Sequence, residues 1–363
     1  MVAVDEAVEW VALRAAENVG DIVGRRLIEH FGSVRAALEA EPAAVTGARF
    51  SVEVACGLTA ANGDRGAASD GVERLRDRGA RVVPLTADEY PELLRHVTDA
   101  PLYLIALGEP LVAGPALAVV GARHASAYGR DVAARLAEDL ALSGVTVISG
   151  LARGVDGAAH RGALRAGGRT VAVVGTGIDV VYPKEHRELC QQILQTGTVL
   201  TEQPLGSPPH PAHFPRRNRI IAGMTHGTVV VEAAGGSGSL ITARLALDLG
   251  REVFAVPGRI DSPLSVGTNH LIQQGAKLVT GVDDLLSEIT PALRSGAAGR
   301  AVGRSGGPAD GPIASLLGAG PTSVDQLIRE TGLPASELLR RLLDLELRGL
   351  ITRSAGNFVE LVR

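Results

Sequence analysis

The chain has 363 residues, of which 45% are hydrophobic and 21% are charged, and its formal net charge is −4. This length and composition predict a globular protein of two or three domains. The net charge argues against a uniformly basic surface for nucleic acid, so any anion-binding site must be local.

Cysteine content and the first residues favour a cytoplasmic protein. Cys56 and Cys190 are too few for a disulfide framework or a cysteine-rich zinc site. The first ten residues contain three acidic side chains and lack a basic, apolar leader, and no apolar run reaches transmembrane length. We therefore expect no membrane partner.

Residues 1 to 75 are predicted to form a small domain of short helices. Apolar residues recur at helical spacing between Asn18 and Ser33, after a turn at Gly20. This pattern is typical of helix-hairpin-helix or sterile-alpha-motif-like domains, some of which touch DNA backbones. Because residues 1–114 contain 11 basic and 18 acidic side chains, packing or protein contact is favoured for this domain.

From residue 80 to residue 290, apolar runs alternate with amphipathic segments. Continuous apolar strands that alternate with helices predict a parallel sheet covered on both faces. The first two predicted strands form a pair that leads into the sheet. The predicted strands are 82–85, 102–107, 117–120, 145–148, 170–174, 198–200, 228–231, 252–256 and 277–279, and the predicted helices include 129–142, 157–166 and 241–249.

Residues 291–311 are rich in glycine, alanine and serine and are predicted to be a flexible linker. After it, residues 312–363 predict three helices and a two-stranded wing, which is the winged-helix layout. The second helix has Thr322 or Ser323 as its N-cap and Gly332 as its stop signal. Since this domain contains six basic and six acidic side chains, protein contact or weak DNA contact is favoured over strong phosphate binding.

Three predicted strands end in short loops of small residues that precede a helix. Ligands of open parallel sheets lie at the carboxyl ends of the strands, where loop amides and helix N-termini attract anions. The first two loops each contain an arginine as well. The residues concerned are Gly121 and Arg123, then Ser149, Gly150, Arg153 and Gly154, then Gly236, Ser237, Gly238 and Ser239.

The segment from Phe214 to Arg219 combines one aromatic ring with three guanidinium groups, those of Arg216, Arg217 and Arg219. Guanidinium groups pair bidentately with phosphate oxygens, and an exposed ring offers a face to an unstacked base. Taken alone, the segment is equally consistent with solvated arginines beside a core phenylalanine. Together with the three loops, it predicts a continuous phosphate-binding edge, longer than one nucleotide requires.

Several small-molecule sites are disfavoured by the residues. A dinucleotide fingerprint begins at Gly175 but has Val180 where its third glycine is required, and no P-loop motif is present. Asp156 and His160, spaced i,i+4, together with Ser149 suggest a hydrolase, but that serine is not in a nucleophile elbow, so a loop-orienting role is favoured.

Metal binding is also disfavoured. The pair His210 and His213 lies in a proline-rich loop and lacks further ligands at metal-binding spacing. We therefore expect no metal, no cofactor and no catalytic residue.

The ordered motifs of the central region resemble the DNA-processing protein A (DprA/Smf) family, over about residues 80 to 285. The resemblance implies an α/β fold, in which an extended Rossmann-like parallel-sheet domain at 80–290 is flanked by the helical domain at 1–75 and the winged-helix domain at 312–363. The matching motifs are 121–123, 149–160, 182–183, 214–223, 237–243, 254–258 and 267–272.

The resemblance also implies a function and a set of contact residues. Members of this family bind single-stranded DNA, form homodimers through the Rossmann domain and assist the loading of the RecA recombinase. Ala122 departs from the family pattern, which commonly has a hydroxyl residue there. The implied DNA contacts are Gly121, Arg123, Ser149, Gly150, Arg153, Phe214, Arg217, Asn218 and Arg219, and less firmly Gly236 to Ser239.

Two other functions remain open at the level of the sequence. A related Rossmann-type nucleotide N-glycoside hydrolase uses a similar glycine-rich loop, but Thr242 stands where its catalytic glutamate is found. An adaptor whose flanking domains dock recombination partners is compatible with DNA binding.

Overall fold

The computed structural model describes residues 4–111, 114–289, 316–317, 322–347, 351–354 and 358–361. Within these residues, six helices precede the first strand, which confirms the helical character predicted for the N-terminal region. Gly32 ends the second helix in the left-handed conformation with φ 86°, and the Ser33 hydroxyl caps the third. The helices are α1 (Val4–Ala15), α2 (Asp21–Phe31), α3 (Val34–Leu38), α4 (Pro42–Gly47), α5 (Val52–Gly63) and α6 (Gly66–Arg76).

The described residues from 81 onward contain both strands and helices. The strands are β1 (Arg81–Pro84), β2 (Tyr103–Gly108), β3 (Ala116–Val120), β4 (Thr146–Ser149), β5 (Thr170–Val173), β6 (Thr198–Thr201), β7 (Gly227–Val230), β8 (Glu252–Ala255), β9 (Lys277–Leu278), β10 (Thr322–Ser323), β11 (Ile351–Ser354) and β12 (Phe358–Leu361). The helices are α7 (Glu92–Arg95), α8 (Ala127–Leu142), α9 (Val155–Arg165), α10 (Arg187–Thr196), α11 (His213–Gly223), α12 (Gly238–Asp248), α13 (Val266–Gln273), α14 (Val324–Thr331) and α15 (Ala335–Leu347).

These elements form two compact units. Unit 1 comprises the described residues within 1–113 and 171–224, and unit 2 those within 114–170 and 225–363. The domain boundaries predicted from the sequence therefore remain predictions. The predicted linker, 291–311, lies outside the described residues.

In unit 1, the strands follow the order β1-β2-β6-β5. β2 pairs antiparallel with β1 and with β6, whereas β5 pairs parallel with β6. The predicted strand pair at 82–85 and 102–107 is therefore confirmed as an antiparallel edge. The six N-terminal helices belong to the same unit, as does α11.

In unit 2, five parallel strands follow the order β4-β3-β7-β8-β9. α8 and α9 pack closely, because Gly162 has no side chain where a Cβ would lie 2.0 Å from the Ala134 carbonyl oxygen. Strands β3, β4 and β7 bury aliphatic residues in the same core as these helices, and β8 buries Phe254 there. This half of the sheet confirms the predicted parallel α/β layout.

The C-terminal residues of unit 2 form a small separate core. β10, β12 and β11 make a three-stranded sheet, and Leu327, Leu338 and Ile351 are fully buried beside it. Ser323 caps α14 and Gly332 ends it with φ 66°, as the sequence predicts. Of the first predicted helix of this domain, residues 312–317, only 316 and 317 are described, and both are helical.

The local structure of the arginine-rich segment changes the interpretation of the site. The arginine-rich segment lies inside a helix, α11, which is not among the helices named from the sequence above. Pro215 is its third residue, and a proline in the first turn removes no helical hydrogen bond. α8, α9 and α12 each begin two or three residues before their predicted starts.

Candidate nucleic-acid interface

Three loops of unit 2 lie at the carboxyl ends of neighbouring strands. Loop 1 (121–126) joins β3 to α8, loop 2 (150–154) joins β4 to α9, and loop 3 (231–237) joins β7 to α12. β4 and β7 both pair parallel with β3, one on each side. The carboxyl ends of the three strands therefore meet around β3, where the chain passes from one side of that strand to the other. Such a point is the usual ligand-binding position of an open α/β sheet.

Loop 2 rests directly on the backbone of loop 1. Gly154 has φ 74°, and a Cβ there would lie 2.2 Å from the Ala122 carbonyl oxygen. The Val155 amide donates to the same oxygen at 3.2 Å. Gly121 is equally confined, since a Cβ would lie 2.6 Å from Cγ2 of Val155. The two predicted glycines therefore set the distance between the loops.

A buried carboxylate organises loop 2. Oδ2 of Asp156 accepts hydrogen bonds from the amides of Gly150 at 3.1 Å and Ala152 at 3.3 Å. Leu151, between them, has φ 57°, a rare conformation for a side chain of this size. Because Asp156 already accepts from these amides, the prediction that the Gly150 amide binds an external anion is not supported.

A second buried carboxylate, Glu232, organises loop 1. It accepts the Ser126 amide at 2.8 Å and the Ser126 hydroxyl at 2.5 Å, while the Glu232 carbonyl accepts the Ala122 amide at 2.7 Å. Gly129 leaves room for this side chain, since a Cβ there would lie 2.2 Å from Oε2. Glu232 was not among the site residues predicted from the sequence. The available signal was an acidic residue directly after a buried strand.

The residues predicted in and beside these two loops differ in how exposed they are. Arg123 and Arg153 are exposed on loops 1 and 2. Ser149 is 0% exposed, and its hydroxyl donates to the Val119 carbonyl at 2.6 Å. A direct contact of Ser149 with DNA is therefore not supported, because the hydroxyl lies within the sheet and joins β4 to β3.

Loop 3 is the most open of the three. Gly235, Gly236 and Gly238 have space around their Cα atoms, and Gly236 has φ 79°. The Ser237 hydroxyl caps α12 by accepting the Ser239 amide at 3.4 Å and lies 2.8 Å from the Ser239 hydroxyl. Ser239 is buried, so the accessible residues of this segment are Ser237 and the glycines.

In unit 1, two arginines of α11 point into the protein. Arg217 is 5% exposed, and its Nη1 donates to the Val173 carbonyl at the end of β5. Arg219 is 7% exposed, and its Nη1 donates to the Asp99 carbonyl. These contacts hold α11 against the sheet and the segment before β2. The prediction that Arg217 and Arg219 are surface contacts for phosphate is therefore not supported.

Arg216 is exposed but belongs to an ion-pair cluster. Its Nη2 lies 3.2 Å from Oδ2 of Asp21, and its Nε lies 3.1 Å from Oε1 of Glu202. Arg219 pairs with the same two carboxylates. Burial raises the pKa of Glu202, and the positive charges of Arg219 and Arg216 oppose that shift. Asp21 also pairs with Arg14 of α1 at 3.1 Å.

The phenylalanine of α11 has an aromatic neighbour. The ring centroids of Phe214 and Tyr182 are 5.6 Å apart, with an angle of 39° between the planes. Phe214 is half-buried over Gly175, where a Cβ would lie 3.2 Å from Cδ1 of the ring. Asn218 is half-buried one turn after Phe214 on the same helix face.

Other chemistry considered from the sequence finds no support in the described residues. Asp156 and His160 are both buried, and Nδ1 of His160 lies 2.7 Å from the Thr170 hydroxyl, which favours the structural role predicted for the pair. The ring centroids of His210 and His213 are 5.2 Å apart, with an angle of 51° between the planes.

No group of three or more histidine, cysteine, aspartate or glutamate side chains in the described part of the chain is arranged to hold a metal ion. Among the helices the structure describes, none combines the length and the apolar character needed to cross a bilayer.

The sequence matches two family models. One, described as DNA recombination-mediator protein A, matches residues 81–290, and the other, described as DprA winged helix domain, matches residues 301–357. Protein Smf of Escherichia coli (strain K12) is 41% identical over 297 residues, which cover 80% of this chain and 79% of the relative. The first model spans all three loops and α11.

Solved structures that resemble this one include two DNA processing proteins A. DNA processing protein A from Streptococcus pneumoniae has a TM-score of 0.68 at 35% identity, covering 78% of this chain and 97% of that one. DNA processing protein A from Helicobacter pylori, solved for its single-stranded DNA binding mode, has a TM-score of 0.53 at 26% identity, covering 59% of this chain and 96% of that one.

Proposed function

Because the chain belongs to the DprA/Smf family of DNA recombination-mediator proteins, we propose that it binds single-stranded DNA without strong sequence preference and acts in DNA processing during transformation or recombination. The observation that supports this proposal most is the pair of exposed arginines, Arg123 and Arg153, on two loops that are locked to each other by Gly154. Two cations on a rigid backbone suit successive phosphates of a strand.

The proposed contacts follow the exposure of the residues. In unit 2 we assign phosphate contact to Arg123 and Arg153. We assign backbone contact to the open part of loop 3, around Gly236 to Gly238. The residues that shape the loops are Gly121, Gly150, Ser149 and Ser239. In unit 1 we assign base contact to Phe214 and polar contact to Arg216 and Asn218. Arg217 and Arg219 hold α11 in place. Because the net charge of the chain is −4, its attraction for DNA depends on each exposed cation.

The test is a salt titration of binding to a fluorescent poly-dT oligomer. The logarithm of the association constant falls by about 0.7 per neutralised phosphate for each decade of salt on single strands. Arg123→Ala and Arg153→Ala should each weaken binding and reduce that slope by about 0.7. Arg165→Ala is the matched control, because Arg165 is a half-exposed arginine at the far end of α9 and pairs with Glu138.

Sequence tolerance is tested by comparing poly-dT, poly-dA and mixed oligomers at one salt concentration. Equal effects of Arg123→Ala on all three sequences support phosphate recognition. Unchanged affinity in both loop variants, with wild-type binding intact, would place the site elsewhere.

RecA loading and dimer formation are part of the same proposal. We assign Val266 of α13 and Leu278 of β9, which are 53% and 43% exposed in unit 2, to the contact with a second copy of the chain. Sedimentation of the full chain tests the dimer.

RecA-dependent ATP hydrolysis on DNA already covered by single-strand-binding protein tests RecA loading. No stimulation of that hydrolysis by this protein would contradict the proposed loading.

The N-glycoside hydrolase remains the weaker alternative. Thr242, where the catalytic glutamate of those enzymes is found, is buried, and its hydroxyl bonds to the Gly238 carbonyl of its own helix at 3.5 Å. A buried threonine hydroxyl does not ionise near neutral pH and cannot act as the acid or base that a glutamate supplies. Release of free base from a nucleoside monophosphate would revive this function.

A further inference from the structure

We propose that Tyr182 and Lys184 form an additional nucleotide-binding position, in which the tyrosine ring stacks on a base and the lysine contacts the phosphate. This inference rests on the proposed binding of single-stranded DNA and extends it to a segment of unit 1 outside the loops and α11. Neither residue was among those predicted from the sequence to contact DNA.

The first observation is the exposure of the Tyr182 ring. Tyr182 is 37% exposed, although the chain has only ten aromatic residues, four tyrosines, five phenylalanines and one tryptophan. Its one ring contact among the described residues is with Phe214, and its hydroxyl makes no hydrogen bond there. A ring that is more than one-third exposed and makes no hydrogen bond offers surface to a planar ligand.

The second observation is the geometry of the two rings. Carbon atoms in contact are separated by about 3.5–4.0 Å, so a base inserted between parallel rings needs roughly 7 Å. The centroids of Tyr182 and Phe214 are only 5.6 Å apart, and the planes are tilted by 39°. A base therefore cannot enter between them and must stack on an outer face. Phe214 is half-buried over Gly175, so Tyr182 has the more accessible face.

The third observation is an exposed cation two residues after the tyrosine. Lys184 is one of only two lysines in the chain, and it is exposed at the start of a short 3-10 helix, Lys184–His186. It makes no ion pair within the part of the chain that the structure describes. An ammonium group with a flexible stem reaches a phosphate as a point charge. Ring and cation together match the two chemical halves of a nucleotide.

The two contacts have different salt signatures. Base stacking contributes about 1–3 kcal/mol per base, which at about 1.4 kcal/mol per tenfold corresponds to a loss of roughly 5- to 140-fold in affinity. Stacking releases no counterion, so Tyr182→Leu should leave the salt slope unchanged. Lys184→Ala should instead reduce the slope by about 0.7, because it removes one phosphate contact.

The experiment measures poly-dT binding by the full chain across a salt series. Tyr182→Phe should bind like wild type, because the ring face is retained. Tyr182→Leu should bind 5-fold or more weakly at every salt concentration. Phe50→Leu is the matched control, since Phe50 is a partly exposed ring that lies against Arg26 and has no assigned DNA contact.

A second measurement avoids any dependence on folding of the variants. Wild-type protein is irradiated with an oligomer that contains 5-iododeoxyuridine, and the cross-linked peptide is identified by mass spectrometry. Cross-linking at Tyr182 supports the inference. If the wild type binds DNA but Tyr182→Leu binds equally well and no cross-link forms at Tyr182, the inference is overturned. If the wild type itself fails to bind, the proposed function fails instead.

Discussion

Asp21, the first residue of α2, forms a buried ion pair with Arg219 of α11, in which Oδ2 lies 3.2 Å from Nη2. Both side chains are less than one-tenth exposed, and Glu202 joins the same cluster. The N-terminal helices and the arginine-rich helix of unit 1 therefore share one charge network. Part of the arginine pattern that suggests DNA binding instead serves to join these two regions.

The first prediction concerns Asp21→Asn. The substitution leaves Arg219 and Arg216 with fewer carboxylates in a poorly hydrated environment, and breaking a buried pair costs about 3–5 kcal/mol. We expect a loss of this order in the free energy of unfolding, measured by chemical denaturation. Asp70→Asn is the control, since Asp70 is exposed on α6. Equal stability of the two variants would show that the cluster contributes nothing to the fold.

The second prediction separates a structural serine from a DNA contact. Ser149→Ala removes the hydroxyl that donates to the Val119 carbonyl, a bond worth about 1 kcal/mol net. We expect a lower thermal midpoint and an unchanged salt slope for poly-dT binding. A reduced slope with unchanged stability would instead return Ser149 to the DNA contacts implied by the family.

Much of the architecture follows from local patterns in the sequence. Apolar runs predict the strands within one or two residues, and glycine turns predict the three loops, because hydrophobic periodicity and backbone conformation are local properties. Ser323 and Gly332 even predict the ends of α14. The winged-helix and α/β predictions are confirmed for this reason.

The burial of the charged residues was not predictable in the same way. Arg217 and Arg219 lie two residues apart, and nothing local in the sequence shows that Val173, Asp99 and Glu202 are their partners. Those partners are 17 to 120 residues away along the chain. Composition shows that cations are present, whereas tertiary contacts decide which of them reach solvent.

The third prediction tests the contact between loops 1 and 2. Gly154→Ala places a Cβ 2.2 Å from the Ala122 carbonyl oxygen at a residue with φ 74°. Since backbone atoms cannot yield as a flexible side chain does, we expect destabilisation of more than ~2 kcal/mol and weaker DNA binding. Gly235→Ala is the control, because its surroundings are open and its φ is not positive. Similar unfolding curves for both variants would contradict the close approach of the loops.

The fourth prediction concerns Glu232, which organises loop 1 without reaching the surface. Glu232→Gln keeps the size of the side chain but replaces one acceptor oxygen with a donor, so it cannot accept both the amide and the hydroxyl of Ser126. Hydrogen bonds to a charged group contribute about 1.5–3 kcal/mol, and we expect a loss of stability within that range.

Hydrogen exchange gives the direct measurement of this effect. The Ser126 amide should exchange faster in Glu232→Gln, while amides in the core of β3 keep their protection. Binding of poly-dT should weaken with little change in salt slope, because Arg123 remains present but is less well positioned. Glu138→Gln is the control, since Glu138 pairs with Arg165 at the surface. Unchanged exchange at Ser126 would mean that Glu232 does not hold loop 1, and the positioning of Arg123 would then need another cause.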